Sequence, residues 1–141
     1  MYSTCMKNDR YVVKCLIVSE YVTLEKFIVD TGARFSCCNY RIVDGDLCEE
    51  QLAGCETKYI GGFVQGETVR FYRYLLKQFA VGNIDMGVRD IWLTFDERVT
   101  DIILGMDILK QMMIILNPYN RRIYFCKDAE DYQRHFMLAM P

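Results

Sequence analysis

The chain has only two prolines, one histidine and one tryptophan among its 141 residues. The prolines are Pro118 and Pro141, so no proline-rich linker divides the sequence. There is no lysine–arginine block either. Lys7, Lys14, Lys26 and Lys58 are scattered and the net charge is −2, which argues against nucleic acid as a partner. The longest apolar runs, "CLIV" and "MMIIL", fall far short of a bilayer span, so no membrane partner is expected. The opening "MYSTCMKNDRYVVKCLIVSEYV" lacks a basic-then-apolar signal layout, and the expectation is a cytoplasmic chain. His135 is the sole histidine and no C-x-x-C occurs, so the residues do not suggest a zinc site, and no other metal or organic cofactor is expected.

Apolar residues, by contrast, are plentiful: 52% hydrophobic and 13% aromatic. That is enough to bury a core without disulfide staples, and the length fits a single domain. The seven cysteines (Cys5, Cys15, Cys37, Cys38, Cys48, Cys55, Cys126) read as free thiols acting as small buried apolar residues.

Periodicity gives many short strands. Residues 10–20 and 21–30, rich in Val, Ile and Tyr, read as two strands joined by a tight turn. "SCCNYRIV" is a third, with the Cys37 and Cys38 side chains on opposite faces. Residues 43–55 read as helix-like, with Leu47 and Leu52 on one side and Gly54 as a stop. From Lys58 to Asn83 the pattern is a hairpin bending near Gly61–Gly66, then one long strand to about Val81. "VRDIWLTFD" is another strand. "TDIILGMDILKQM" is a strand, a break at Gly105 and a short helix. "MIILNPYNRRIYF" is a hairpin with its turn at Asn117–Asn120. "DAEDYQRHFML" reads as a C-terminal helix with Asp128 as its cap.

Three features then stand in order: an apolar strand ending in Asp30-Thr31-Gly32-Ala33, a glycine-rich hairpin Ile60-Gly61-Gly62-Phe63, and the late stretch "ILGMDIL" around Gly105 and Asp107. Taken alone, Asp30 could simply end a strand, since Asp, Thr and Gly all form turns. Taken together, the three resemble the retropepsin-like aspartic proteases, and the resemblance covers about residues 10–125.

The resemblance implies a fold: mostly β, a small closed β-barrel-like retropepsin (acid protease) domain with one or two short helices. It spans residues 1–141 as a single domain, with residues 126–141 as a helical tail. It also implies an aspartic endopeptidase. Only one Asp-Thr-Gly loop is present, so the enzyme would be a homodimer with Asp30 from each chain facing the other. Two close carboxylates share one proton, so one can deprotonate water while the other hydrogen-bonds the scissile carbonyl.

Each neighbouring residue acquires an implied role. Thr31 bonds across to the partner loop, Gly32 lets backbone N–H groups approach the carboxylate, and Ala33 leaves room for substrate. Ile60, Gly61, Gly62 and Phe63 form a flap over a protein or peptide substrate. Gly105 and Asp107 support the catalytic loop, Asp107 by bonding backbone near it. Ser36 stands roughly where family members carry a hydroxyl residue. Arg34 is unexpected beside the loop and could either favour the ionised carboxylate or select acidic substrate residues. Two other readings remain open: a non-catalytic dimerisation or peptide-binding module of the same fold, and a thiol redox sensor using Cys37 or Cys38.

Overall fold

The computed structural model describes residues 1–137. Its first strand, β1 (Tyr2–Lys7), lies outside the expected core. It enters β2 (Arg10–Val18) through Asn8 and Asp9, both at positive φ (51° and 60°), with Lys7 opposite Arg10. Two left-handed residues in a two-residue loop match the right-handed twist of the strands they join. Asn and Asp tolerate that conformation better than other side chains.

β3 (Val22–Val29) returns along β2 with Val13 opposite Phe27 and Ile17 opposite Thr23. Val13, Cys15, Ile17 and Phe27 point into the main core, while Val22 and Leu24 face outward. β4 (Cys37–Asn39) follows, then single 3-10 turns at Tyr40–Ile42 and Glu49–Leu52. The helix expected over residues 43–55 is therefore only one turn, because Gly45 and Gly54 bracket too short a stretch to propagate.

β5 (Thr57–Val64) and β6 (Glu67–Leu76) form the glycine-rich hairpin. Its tip is Gln65–Gly66, and the register slips between Gly61 and Val64. The long strand expected to run to Val81 breaks at Lys77. β6 pairs with β9 (Arg89–Thr94), whereas β7 (Gln78–Val81) crosses to pair with β2 and with β8 (Ile84–Asp85). One chain segment thus serves two ladders. Phe79 packs on Phe27 with ring centroids 5.5 Å apart, holding the crossing in the main core.

Near the end come β10 (Ile103–Leu104), the single-turn helix α1 (Met106–Leu109), the hairpin β11 (Met113–Asn117) and β12 (Arg122–Cys126), and α2 (Ala129–Tyr132). α2 is capped by Asp128, whose carboxylate accepts the Asp131 N–H at 2.9 Å. It continues as a π-helical turn through Gln133–Met137, and the rest of the expected tail lies outside the described residues. Because β12 runs to Cys126 and pairs with β1, the two ends of the chain share one ladder.

The strands form one mostly antiparallel ladder in the order β11-β12-β1-β2-β3-β10-β4-β9-β6-β5. Among the described residues β11 and β5 do not pair, so the expected closed barrel is an open, forked sheet. The fork lies at β2, whose edge is used first by β1 and then by β7. Among the described residues no helix is long and apolar enough to cross a membrane.

Two hydrophobic clusters result. The larger holds Val13, Phe27, Cys38, Phe79, Leu104, Ile108 and Phe125. The smaller holds Cys37, Val69, Phe71, Trp92, Val99 and Ile103, with Ala33, Phe35, Ile60 and Phe63 packed against it. Adjacent cysteines on β4 thus serve different cores, as alternation along a strand requires. Cys15 and Cys126 are also buried, but Cys5 and Cys48 are exposed and Cys55 is partly so, and all seven thiols are unpaired.

Candidate active site

β10 is only two residues long, yet it organises the site. It pairs parallel to β3 (Ile103 with Ile28, Leu104 with Val29) and antiparallel to β4 (Ile103 with Cys37). β3 and β4 flank the loop that carries Asp30, so β10 closes the loop's base. Asp30 donates its own N–H to the Leu104 carbonyl at 3.0 Å, extending the ladder by one bond.

The loop is tight. The Gly32 N–H donates to Asp30 Oδ1 at 2.9 Å, and the Ala33 N–H donates to the Asp30 carbonyl at 3.2 Å. Asp30 is half-buried while Thr31 and Gly32 are exposed. Thr31 makes no side-chain hydrogen bond within the chain among the described residues, so its hydroxyl is available to another molecule.

The stretch after β10 grips the same loop from behind. Gly105 sits so close that a Cβ there would come within 2.7 Å of the Phe35 carbonyl carbon and oxygen. The Met106 N–H donates to the Ala33 carbonyl at 2.8 Å and the Asp107 N–H to the Arg34 carbonyl at 3.1 Å. The Asp107 carboxylate accepts the Ser36 N–H at 3.0 Å and the Ser36 hydroxyl at 2.7 Å. The same hydroxyl accepts the Gly105 N–H at 2.9 Å. Ser36, 1% exposed, is therefore the hub between the loop and α1. Its place, behind bulky Arg34 and Phe35, gave only a weak signal in the sequence.

The glycine-rich hairpin lies across from this loop. A cleft of about 650 Å³ is lined by Asp30, Gly32, Ala33, Arg34 and Phe35 on one side and by Ile60, Gly61, Gly62 and Phe63 on the other. Gly62 has φ +96°, a conformation that side chains strain, and it lies inside the register slip. Phe63 rests on the core, its ring 5.3 Å from Phe71. Gly105 and Asp107 do not line this cleft and stand behind it.

Several lining residues did not stand out in the sequence. Asp101 is the other carboxylate of the cleft; it is exposed and lies 3.9 Å from Arg10. Lys58, half-buried, sits two residues before Ile60 on β5. Alternation along a strand puts both on one face, and that spacing is the signal that could have found it. Cys37 also lines the cleft. Burial, reinforced by the Asp107, Asp30 and Asp101 carboxylates, pushes its thiol up to about 12.

The Asp30-Thr31-Gly32 loop, braced from behind by Gly105 and Asp107, thus faces a glycine-rich hairpin within a mostly-β sheet. A solved structure of a retropepsin-like aspartic protease from Rickettsia conorii is similar to this chain with a TM-score of 0.64, over 88% of each chain at 14% identity. At that identity the likeness speaks for the fold. No family model and no curated protein matches the sequence.

Proposed function

We propose that the chain is a retropepsin-like aspartic endopeptidase that acts as a homodimer on extended peptide segments. The observation that carries this reading is the Asp30 loop itself: a half-buried carboxylate accepting the Gly32 N–H, in a cleft closed by Ile60–Phe63. One carboxylate per chain cannot provide both an acid and a base. Asp101, the other carboxylate of the cleft, lies beside Arg10 and carries no Thr-Gly turn. A second Asp30, brought by a two-fold axis, would supply the missing group, and the Thr31 hydroxyl, which makes no hydrogen bond among the described residues, would bond across to the partner loop.

In the dimer the ionised Asp30 takes a proton from water as the water oxygen adds to the scissile carbonyl carbon. The protonated Asp30 gives its proton to the carbonyl oxygen, forming a gem-diol. Collapse of the diol breaks the C–N bond as the amine nitrogen takes up a proton, and the shared proton is restored. The flap excludes bulk water and adds hydrogen bonds to the peptide backbone. The unpaired thiols fit a reducing compartment such as the cytoplasm.

The test is cleavage of a diverse peptide library from mildly acidic to neutral pH, comparing the unsubstituted chain with Asp30→Asn. Cuts made only by the unsubstituted chain are expected. No cuts by either protein, from samples shown to be dimeric, would instead favour a non-catalytic peptide-binding module.

A further inference from the structure

Three carboxylates stand near the base of the flap, and each already has a partner. Glu56 accepts from Arg73 at 3.1 Å, and Asp90 accepts from the same guanidinium at 2.6 and 2.9 Å. Asp107 is held by Ser36. Lys58 shares a hollow with all three, yet among the described residues it forms no ion pair. Its ammonium instead lies 4.9 Å from the Phe35 ring centroid and 5.4 Å from that of Trp92. Those rings pack 5.5 Å apart, and Trp92 is 5% exposed, so the floor beneath the cation is rigid.

Phe35 and Lys58 line both this hollow and the Asp30 cleft, so the two adjoin. Arg34, exposed and also without an ion pair among the described residues, lines the same cleft. The cleft thus carries two cations that form no ion pair among the described residues, alongside the carboxylates of Asp30 and Asp101.

We infer that Lys58, which lines the cleft together with Arg34, selects peptides bearing a glutamate or aspartate side chain, whose carboxylate docks on the ring-held ammonium. This rests on the reading of the cleft as a peptide site. The aromatic floor attracts the cation and restricts its rotamers, so little order remains to be imposed when an anion arrives. The site is half-buried, so the attraction is stronger than between two freely solvated charges. None of the three chain carboxylates in the hollow forms an ion pair with Lys58 among the described residues, so its ammonium keeps a contact to offer a peptide carboxylate.

The test uses short fluorescent peptides in which one glutamate is moved through an otherwise uncharged sequence, each with a glutamine twin. They are titrated by anisotropy onto the Asp30→Asn protein, which binds without turnover. At one position the glutamate peptide binds about fivefold tighter than its twin at low salt, the size of a partly exposed ion pair, and added salt reduces that ratio. Lys58→Met keeps the apolar stem over the rings and brings the ratio to about one; Lys58→Arg keeps the preference.

Equal binding of all twins, an unchanged ratio in Lys58→Met, or no binding of any peptide overturns the assignment. Cleavage by the unsubstituted chain is scored separately. Cuts together with equal twins would remove the Lys58 subsite and leave the peptidase standing. Charge-dependent binding without cuts would do the reverse.

Discussion

The Asp107 carboxylate holds Ser36 by both its backbone N–H and its hydroxyl, across 71 residues of sequence. Ser36 in turn accepts the Gly105 N–H. A chain of three hydrogen bonds therefore fixes the segment that follows the Asp30 loop to the start of α1. Removing the acceptor leaves two buried or half-buried donors without a partner, at about 1–3 kcal/mol. Asp107→Ala is expected to lower the unfolding free energy by about 2 kcal/mol, read from urea midpoints. Asp107→Asn retains an oxygen acceptor and should lose less than half as much. Equal losses in the two variants would mean that the carboxylate acts by its charge and not by its geometry.

Gly105 meets the same segment through the bare face of its Cα. A methyl there would press on the Phe35 carbonyl group at 2.7 Å, and a backbone atom cannot turn aside as a side-chain tip can. Gly105→Ala is expected to cost about 2 kcal/mol by overpacking, a drop of roughly 5 °C in Tm. The displaced loop should also lose peptide affinity, because Phe35 lines the cleft. An alanine variant with unchanged Tm would show that β10 and α1 are not as tightly clamped as this contact requires.

The motifs were legible because each needs residue types that few alternatives supply. Asp30-Thr31-Gly32 needs a carboxylate beside a residue without a side chain, and Gly105 needs a bare Cα against Phe35. β2 and β3 were legible from their runs of Val and Ile. β1 was not, because "YSTCMK" mixes polar and apolar residues without strict alternation and buries none of them fully; its signal was the Asn8-Asp9 turn. The break at Lys77 was hidden for a different reason: β6 and β7 are both good strand sequences, and only their partners, β9 and β2, differ. Closure of the sheet was likewise a matter of long-range pairing that no local pattern records. The ring-held Lys58 depends on Phe35, Trp92 and Arg73, which meet only in the folded chain.

A homodimeric dyad makes a prediction about mixtures. Asp30→Asn chains should associate with unsubstituted chains and poison the shared site. An equal mixture, allowed to exchange, is expected to retain about half the activity of the unsubstituted chain measured alone at the same amount, since about half its chains meet an inactive partner. Activity per chain should also fall on dilution. Activity that ignores both the added variant and dilution would place the whole catalytic machinery in one chain, and Asp101 would then be the carboxylate to substitute.

The buried thiols set an alkaline limit on stability. Cys37 is pushed up to about 12, first by burial and then by the carboxylates of Asp107, Asp30 and Asp101. Burial also raises Cys15 and Cys38 well above an ordinary thiol. A group whose folded value is raised stabilises the fold fully while the pH stays below its unfolded value. That contribution is lost as pH climbs from the ordinary 9.0 toward about 12, because the unfolded chain ionises first. Urea midpoints should therefore hold steady around neutral pH and fall beyond about pH 9. Tyr21, Tyr72 and Tyr74 are raised as well and act in the same direction, so the informative quantity is the difference made by Cys37→Ala. That variant should start lower, from its cavity, and fall less steeply. Thiol labelling near neutral pH should modify the exposed Cys5 and Cys48 readily and reach Cys15, Cys37 and Cys38 only on unfolding. The same burial argues against Cys37 or Cys38 as a redox sensor, and rapid labelling of either in the folded protein would revive that role.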